Sequence, residues 1–151
     1  MLSDGAIAGF PLQDLRVTVY DGKYHSVDSK EVAFVSAGKK AFLEAVQSAG
    51  PTVLEPVVKV EITAPSESMG DITGDLATKR GRINGNDSLP GGRVTVSAFV
   101  PLAELTDYQT RLKALTGGEG SFTIDFSHYD PVPPRMLQDL KEAWKPRETE
   151  D

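Results

Sequence analysis

The 151-residue chain contains no cysteine. Disulfides, thiolate nucleophiles and cysteine-based zinc sites are therefore excluded, and the composition suits a reducing compartment. Histidine is scarce too: only His25 and His128 are present, with no His-x3-His spacing to build a metal centre. No apolar run approaches the ~18–20 residues that span a bilayer, so no membrane partner is expected. The N-terminus, Met1-Leu-Ser-Asp-Gly5, lacks a basic segment ahead of an apolar one and does not read as a signal peptide. There is no Gly-x4-Gly-Lys-Ser/Thr phosphate loop and nothing like a nucleophile elbow. The nearest glycine cluster, Thr116-Gly-Gly-Glu-Gly120, follows a helical pattern and places an acid where a phosphate loop needs lysine. It reads as a helix stop and a turn. No residue is assigned to catalysis, to a cofactor or to a metal.

Positive charge is also in short supply. Sixteen Lys and Arg face 22 Asp and Glu, a net charge of −6. Phosphate neutralisation supplies much of a nucleic-acid binder's affinity, so composition argues against a free-standing DNA or RNA binder. It leaves room for a local basic patch.

Hydrophobic residues make up 39% of the chain, enough for an ordinary packed core. From Leu12 to Tyr20, Leu15, Val17 and Val19 alternate with Asp14, Arg16 and Thr18, which predicts a half-buried strand. Asp28 with Glu31 three residues on forms a capping box for a long helix that Gly50-Pro51 ends. The pattern then spells a complete small unit. Val58, Val60 and Ile62 alternate in a strand. Met69, Ile72 and Leu76 mark a helix, with Lys79 and Arg80 in its last turn and Gly81 at C′. Arg82–Asn86 reads as a short strand and Val94–Val100 as the next. Leu102, Leu105, Tyr108, Leu112 and Leu115 mark a second helix. Ser121–Phe126 is the last strand, with Phe122, Ile124 and Phe126 predicted on its core side.

That order is β-α-β-β-α-β, an α+β ferredoxin-like arrangement with both helices on one face of an antiparallel sheet. Pro133–Trp144 adds a short helix that docks by Met136, Leu137, Leu140 and Trp144, and a charged tail follows. The expected division is 1–51, 52–133 and 134–151. Residues 1–51 supply one strand and one helix, too little to close a core. This segment is expected to expose an apolar edge, and then to pack elsewhere on the chain or to self-associate between chains. Taken alone, His25 reads as an exposed loop residue and His128 as a strand-end surface residue. The basic run Lys79, Arg80, Arg82 reads equally as helix-end charge or as a phosphate contact.

Several ordered stretches point further. Gly9-Phe-Pro-Leu12, Val17-Thr-Val-Tyr-Asp-Gly22, Tyr24-His25, Val27-Asp-Ser29, Leu54-Glu-Pro56, Met69-Gly-Asp71, Gly74-Asp-Leu76, Arg80-Gly81, Val100-Pro-Leu-Ala-Glu104 and Ser127-His-Tyr129 occur in sequence. Together they make the chain resemble the C-terminal part of elongation factor G. The resemblance implies that residues 1–51 match part of domain IV, which has a ribosomal-protein-S5-domain-2-like fold. Residues 52–133 match domain V, which is ferredoxin-like.

It also implies a ribosome-binding module of a translational GTPase, working in the cytoplasm in tRNA and mRNA translocation. The parent's GTP and Mg would lie elsewhere, and this segment would bind neither. Implied partners are rRNA and the tRNA and mRNA at the decoding region. The implied ribosome contacts are the tip-loop residues Gly22, Tyr24, His25, Asp28 and Ser29, with Lys79, Arg80 and Arg82 as rRNA contacts. The sequence departs from many translocases at Leu105–Gln109 and at Glu119, where the family carries a basic residue. This implies a divergent paralogue, with translocation, recycling and a specialised role all open. A ferredoxin-like regulatory module that binds a ligand or subunit is the alternative of a different class.

Overall fold

The computed structural model describes residues 2–26 and 30–145. They fall into two compact units, one of Leu54–Pro131 and one of Met1–Val53 with Val132–Asp151.

In the Leu54–Pro131 unit, β-branched residues at every second position build the two central strands. Strand β1 spans Leu54–Pro65 and is followed by helix α2, Met69–Thr78 (helix α1 lies in the other unit). Strands β2 (Arg82–Leu89) and β3 (Arg93–Pro101) form a hairpin. Helix α3 spans Tyr108–Leu115, and strand β4 spans Ser121–Pro131. The sheet order is β2-β3-β1-β4 with every neighbour antiparallel. This is the ferredoxin-like β-α-β-β-α-β arrangement that the periodicity predicts.

One face of β1 and β3 carries Val58, Val60, Ile62, Val94, Val96, Ala98 and Val100. It is sealed by Ile72 and Leu76 of α2 and by Tyr108 and Leu112 of α3. Arg111 Nε donates to Asp75 Oδ1 at 2.9 Å, tying the two helices together over this core. The Tyr108 hydroxyl is pushed up to about 12, first by burial and second by the nearby Asp75 carboxylate.

Four local expectations change. The second helix is interrupted. Leu102–Leu105 forms a 3-10 turn, and Asp107 takes a left-handed conformation (φ 58°) before α3 begins. A short polar side chain tolerates that conformation better than the apolar residues around it. At the end of α2 the left-handed C′ residue is Arg80 (φ 58°), not Gly81. Gly81 N–H closes the six-to-one Schellman bond to Leu76 O at 2.8 Å. A Cβ on Gly81 would lie 2.7 Å from Leu76 O, so this glycine answers close approach rather than backbone twist. On β4 only Phe122 reaches the core, edge-on to Tyr108 at 5.1 Å. Ile124 and Phe126 are 40% and 60% exposed, because the eight-residue α3 ends short of them and β4 is a sheet edge.

The fourth change is in the other unit. Helix α1 spans Glu31–Ser48 and ends at Ala49, with Gly50 left-handed (φ 70°) and Pro51 beyond. The N-cap is Lys30, with no side-chain cap bond, so Glu31 is the first helical residue and the expected Asp28–Glu31 capping box does not form; Asp28 itself lies outside the described residues. Leu12–Tyr20 forms no strand, because no described segment pairs with it. A period-2 pattern becomes a strand only when its backbone finds a ladder. No residue of α1 is buried. Helix α4, Pro134–Ala143, leads to Trp144, whose indole lies so close to Gly9 that a Cβ there would sit 2.8 Å from the ring.

Two expectations follow. Ile62→Ala empties a fully buried position and should lower stability to urea by about 2–5 kcal/mol, read by far-UV circular dichroism. Because the folded Tyr108 pKa lies above its unfolded value near 10, its stabilising contribution is complete below pH 10. It is lost as pH rises through 12. Denaturation between pH 9 and pH 12 should show a steeper loss for the native chain than for Tyr108→Phe, by roughly 2 kcal/mol at most.

Candidate functional site

The residues singled out by sequence fall on two surfaces, one on each unit. The first is the segment from Asp21 to Ser26. Asp21 Oδ1 accepts from the N–H of the next residue, Gly22, at 2.7 Å. No atom lies within 4 Å of a Cβ placed on Gly22, so the backbone is open at this position. Tyr24 is 78% exposed and His25 is exposed beside it. The structure therefore leaves Gly22, Tyr24 and His25 on one exposed stretch. Asp28 and Ser29 lie outside the described residues.

The second surface lies where α2 hands over to β2. The three basic residues read as one run have different environments. Lys79 caps α2 and is half-buried. Arg80 turns inward. Its Nη1 and Nη2 donate to Glu55 Oε1 and Oε2 at 2.6 and 3.0 Å, and its Nε donates to Glu104 Oε1 at 3.0 Å. A bidentate arginine–carboxylate pair is among the strongest hydrogen-bonded geometries in proteins. The bond to Glu55 is the main reason that the guanidinium pKa rises above its ordinary value. Arg80 thus joins β1, α2 and the turn after β3, with each of its three nitrogens donating to a carboxylate. Arg82 opens β2 and is exposed.

The register carries Arg82 onto the open face of the sheet. It sits opposite Phe99, which sits opposite Lys59, which sits opposite Asp125. The row is basic, aromatic, basic and acidic across all four strands. The Phe99 ring meets His128 with centroids 6.1 Å apart. His128 is held at both nitrogens: Ser127 Oγ lies 2.7 Å from Nδ1, and Asp130 Oδ2 lies 3.0 Å from Nε2. A bulge at Ser127 creates this arrangement, since Val57 faces His128 while Val58 faces Phe126.

Sequence reading missed Phe99 and Lys59 and left His128 as surface. Alternation within β3 does place Phe99 on the polar face, but only the register reveals its neighbours. Glu119 also finds a structural partner. Arg93 Nη2 approaches its carbonyl at 3.4 Å, and Arg93 Nη1 lies 4.0 Å from its carboxylate.

The two surfaces are thus a mixed-charge face of an antiparallel ferredoxin-like sheet and, in the other unit, an exposed loop. Among the described residues, no cluster of three metal-ligating side chains exists.

Family comparisons match this arrangement. Residues 1–50 match the family model for elongation factor G, domain IV, and residues 52–140 match the model for the elongation factor G C-terminus. The chain belongs to the elongation factor G family. It is also similar to a Thermus thermophilus protein of known crystal structure, with 42% identity and a TM-score of 0.73 over 93% of this chain. It spans about a fifth of that protein's length, 21%. The two matched regions are those of an elongation-factor-G-type translation module and do not include a GTPase domain.

If Arg80 is a clamp, removing its principal partner should be felt in stability. Glu55→Ala should destabilise the chain by about 1–3 kcal/mol in urea, toward the lower end because Arg80 remains 31% exposed. Glu104→Ala, at the single, more exposed contact, should cost less.

Proposed function

We propose that this chain is a ribosome-contacting module of an elongation-factor-G-type GTPase, acting in the cytoplasm to promote tRNA and mRNA movement during protein synthesis. The observation that carries this reading is the pair of consecutive family matches over 1–50 and 52–140, together with the exposed Tyr24–His25 loop. The work of such a module is steric and electrostatic. The Asp21–Ser26 loop contacts the decoding region of the small subunit, and Asp28 and Ser29 share in that contact. The sheet unit contacts large-subunit rRNA.

Within the second contact the basic run divides its labour. Lys79 and Arg82 meet phosphate. Arg80, already bound by two carboxylates, positions them by fixing the end of α2. Phe99 offers a ring against which an unpaired base can stack, beside the oriented His128. GTP and Mg belong to the upstream part of the parent protein, and the chain itself binds neither. The negative net charge keeps affinity modest and makes it depend on local patches.

Co-sedimentation with 70S ribosomes and with separated subunits across a salt series tests this. Binding should weaken as salt rises. Arg82→Glu should lower the salt slope by about one unit on the large subunit. His25→Ala should weaken binding to the small subunit. Salt-insensitive association, or measurable GTP affinity of the chain alone, would contradict the proposal.

A further inference from the structure

Strand β4 carries a serine, a histidine and an aspartate in one hydrogen-bonded chain. Ser127 Oγ lies 2.7 Å from His128 Nδ1, and Asp130 Oδ2 lies 3.0 Å from His128 Nε2. A carboxylate only accepts, so in the neutral imidazole Nε2 carries the proton and donates it to Asp130. Nδ1 is then the acceptor, and the Ser127 hydroxyl donates to it. The three groups stand in the order of nucleophile, base and orienting carboxylate.

The fold builds that order. In an unbroken strand Ser127 and His128 would point to opposite faces. The extra residue at the bulge suspends this alternation, since Val57 faces His128 while Val58 faces Phe126. The two consecutive side chains can therefore meet. Beyond the bulge alternation resumes, and His128 and Asp130, two residues apart, share a face. Pairing of His128 with Val57 and of Asp130 with Glu55 fixes the backbone beneath them. The group is also accessible. Ser127 is exposed, and the side chains of His128 and Asp130 are 38% and 48% exposed. The Phe99 ring, 6.1 Å from the imidazole, supplies an apolar surface beside it.

We propose that Ser127 is a base-activated nucleophile that accepts acyl groups from activated aryl esters, with His128 as its general base and Asp130 as the positioning residue. Ser127 Oγ attacks the ester carbonyl carbon while His128 Nδ1 takes the hydroxyl proton. The tetrahedral intermediate re-forms its carbonyl as the bond to the aryl oxygen breaks. The products are acyl-Ser127, an aryloxide, and an imidazolium that returns its proton to solvent. Because Ser127 stands in the open, the leaving group departs unassisted. That restricts the donors to esters of acidic phenols and excludes amides.

A second exposed serine of β4, Ser121, has no histidine beside it and serves as the internal control. Treatment of the whole chain with p-nitrophenyl acetate, followed by fragmentation mass spectrometry, should place acetyl on Ser127 about a hundredfold faster than on Ser121. His128→Gln should abolish that difference with the far-UV spectrum unchanged. Asp130→Asn should slow acetylation of Ser127 and shift the imidazole nitrogen NMR signals away from the Nε2-protonated tautomer, a signature that a merely structural role would not produce.

Acetylation of Ser127 no faster than that of Ser121 would overturn the proposal. So would a Ser127 rate that His128→Gln leaves unchanged, since the hydroxyl would then react without its base.

Discussion

One guanidinium holds the sheet unit's α2–β2 junction together. Arg80 sits in a left-handed conformation that costs a non-glycine residue about 1–2 kcal/mol. The bonds of the side chain to Glu55 on β1 and Glu104 after β3 offset that strain. The same geometry lets Gly81 close the helix onto Leu76 with no room for a side chain. Helix end, strand start and the turn between β3 and α3 are thus set by one residue pair, Arg80-Gly81. The direction in which Lys79 and Arg82 face follows from it.

A second tie joins the two helices over the core. Arg111 and Asp75 link α2 to α3, and Tyr108 packs beneath them. Asp75 is almost wholly buried, yet its partner Arg111 is more than half exposed. An ion pair of this kind adds little net stability but penalises any slide of one helix along the other, because the buried carboxylate would lose its counter-charge. The apolar core sets how much the helices bury, and the ion pairs set where along their axes they do so.

Much of this was legible in the sequence where local pattern and tertiary demand agree. The strict alternation at Val58–Val60–Ile62 and Val94–Val96–Ala98–Val100 meets two covering helices, so the predicted strands form. The alternation at Leu15–Val17–Val19 is equally clean but meets no ladder among the described residues, so no strand forms. Periodicity states what a segment is suited to, and pairing depends on residues elsewhere. Arg80 shows the same limit in electrostatics. Its place in a basic run suggests an outward charge, while its two carboxylate partners lie 25 and 24 residues away along the chain. The cross-strand row of Arg82, Phe99, Lys59 and Asp125, with His128 beside Phe99, was hidden for the same reason. It exists only once the register and the Ser127 bulge are fixed.

The chain has one tryptophan, Trp144, and its indole packs on Gly9 outside the sheet unit. Intrinsic fluorescence is therefore a reporter of the segment containing the N-terminal loop and α4. Melting of the ferredoxin-like sheet would reach that signal only through whatever cooperativity joins the two units. The gap between a tryptophan emission curve and an amide circular-dichroism curve is thus a built-in gauge of how tightly the two units unfold as one.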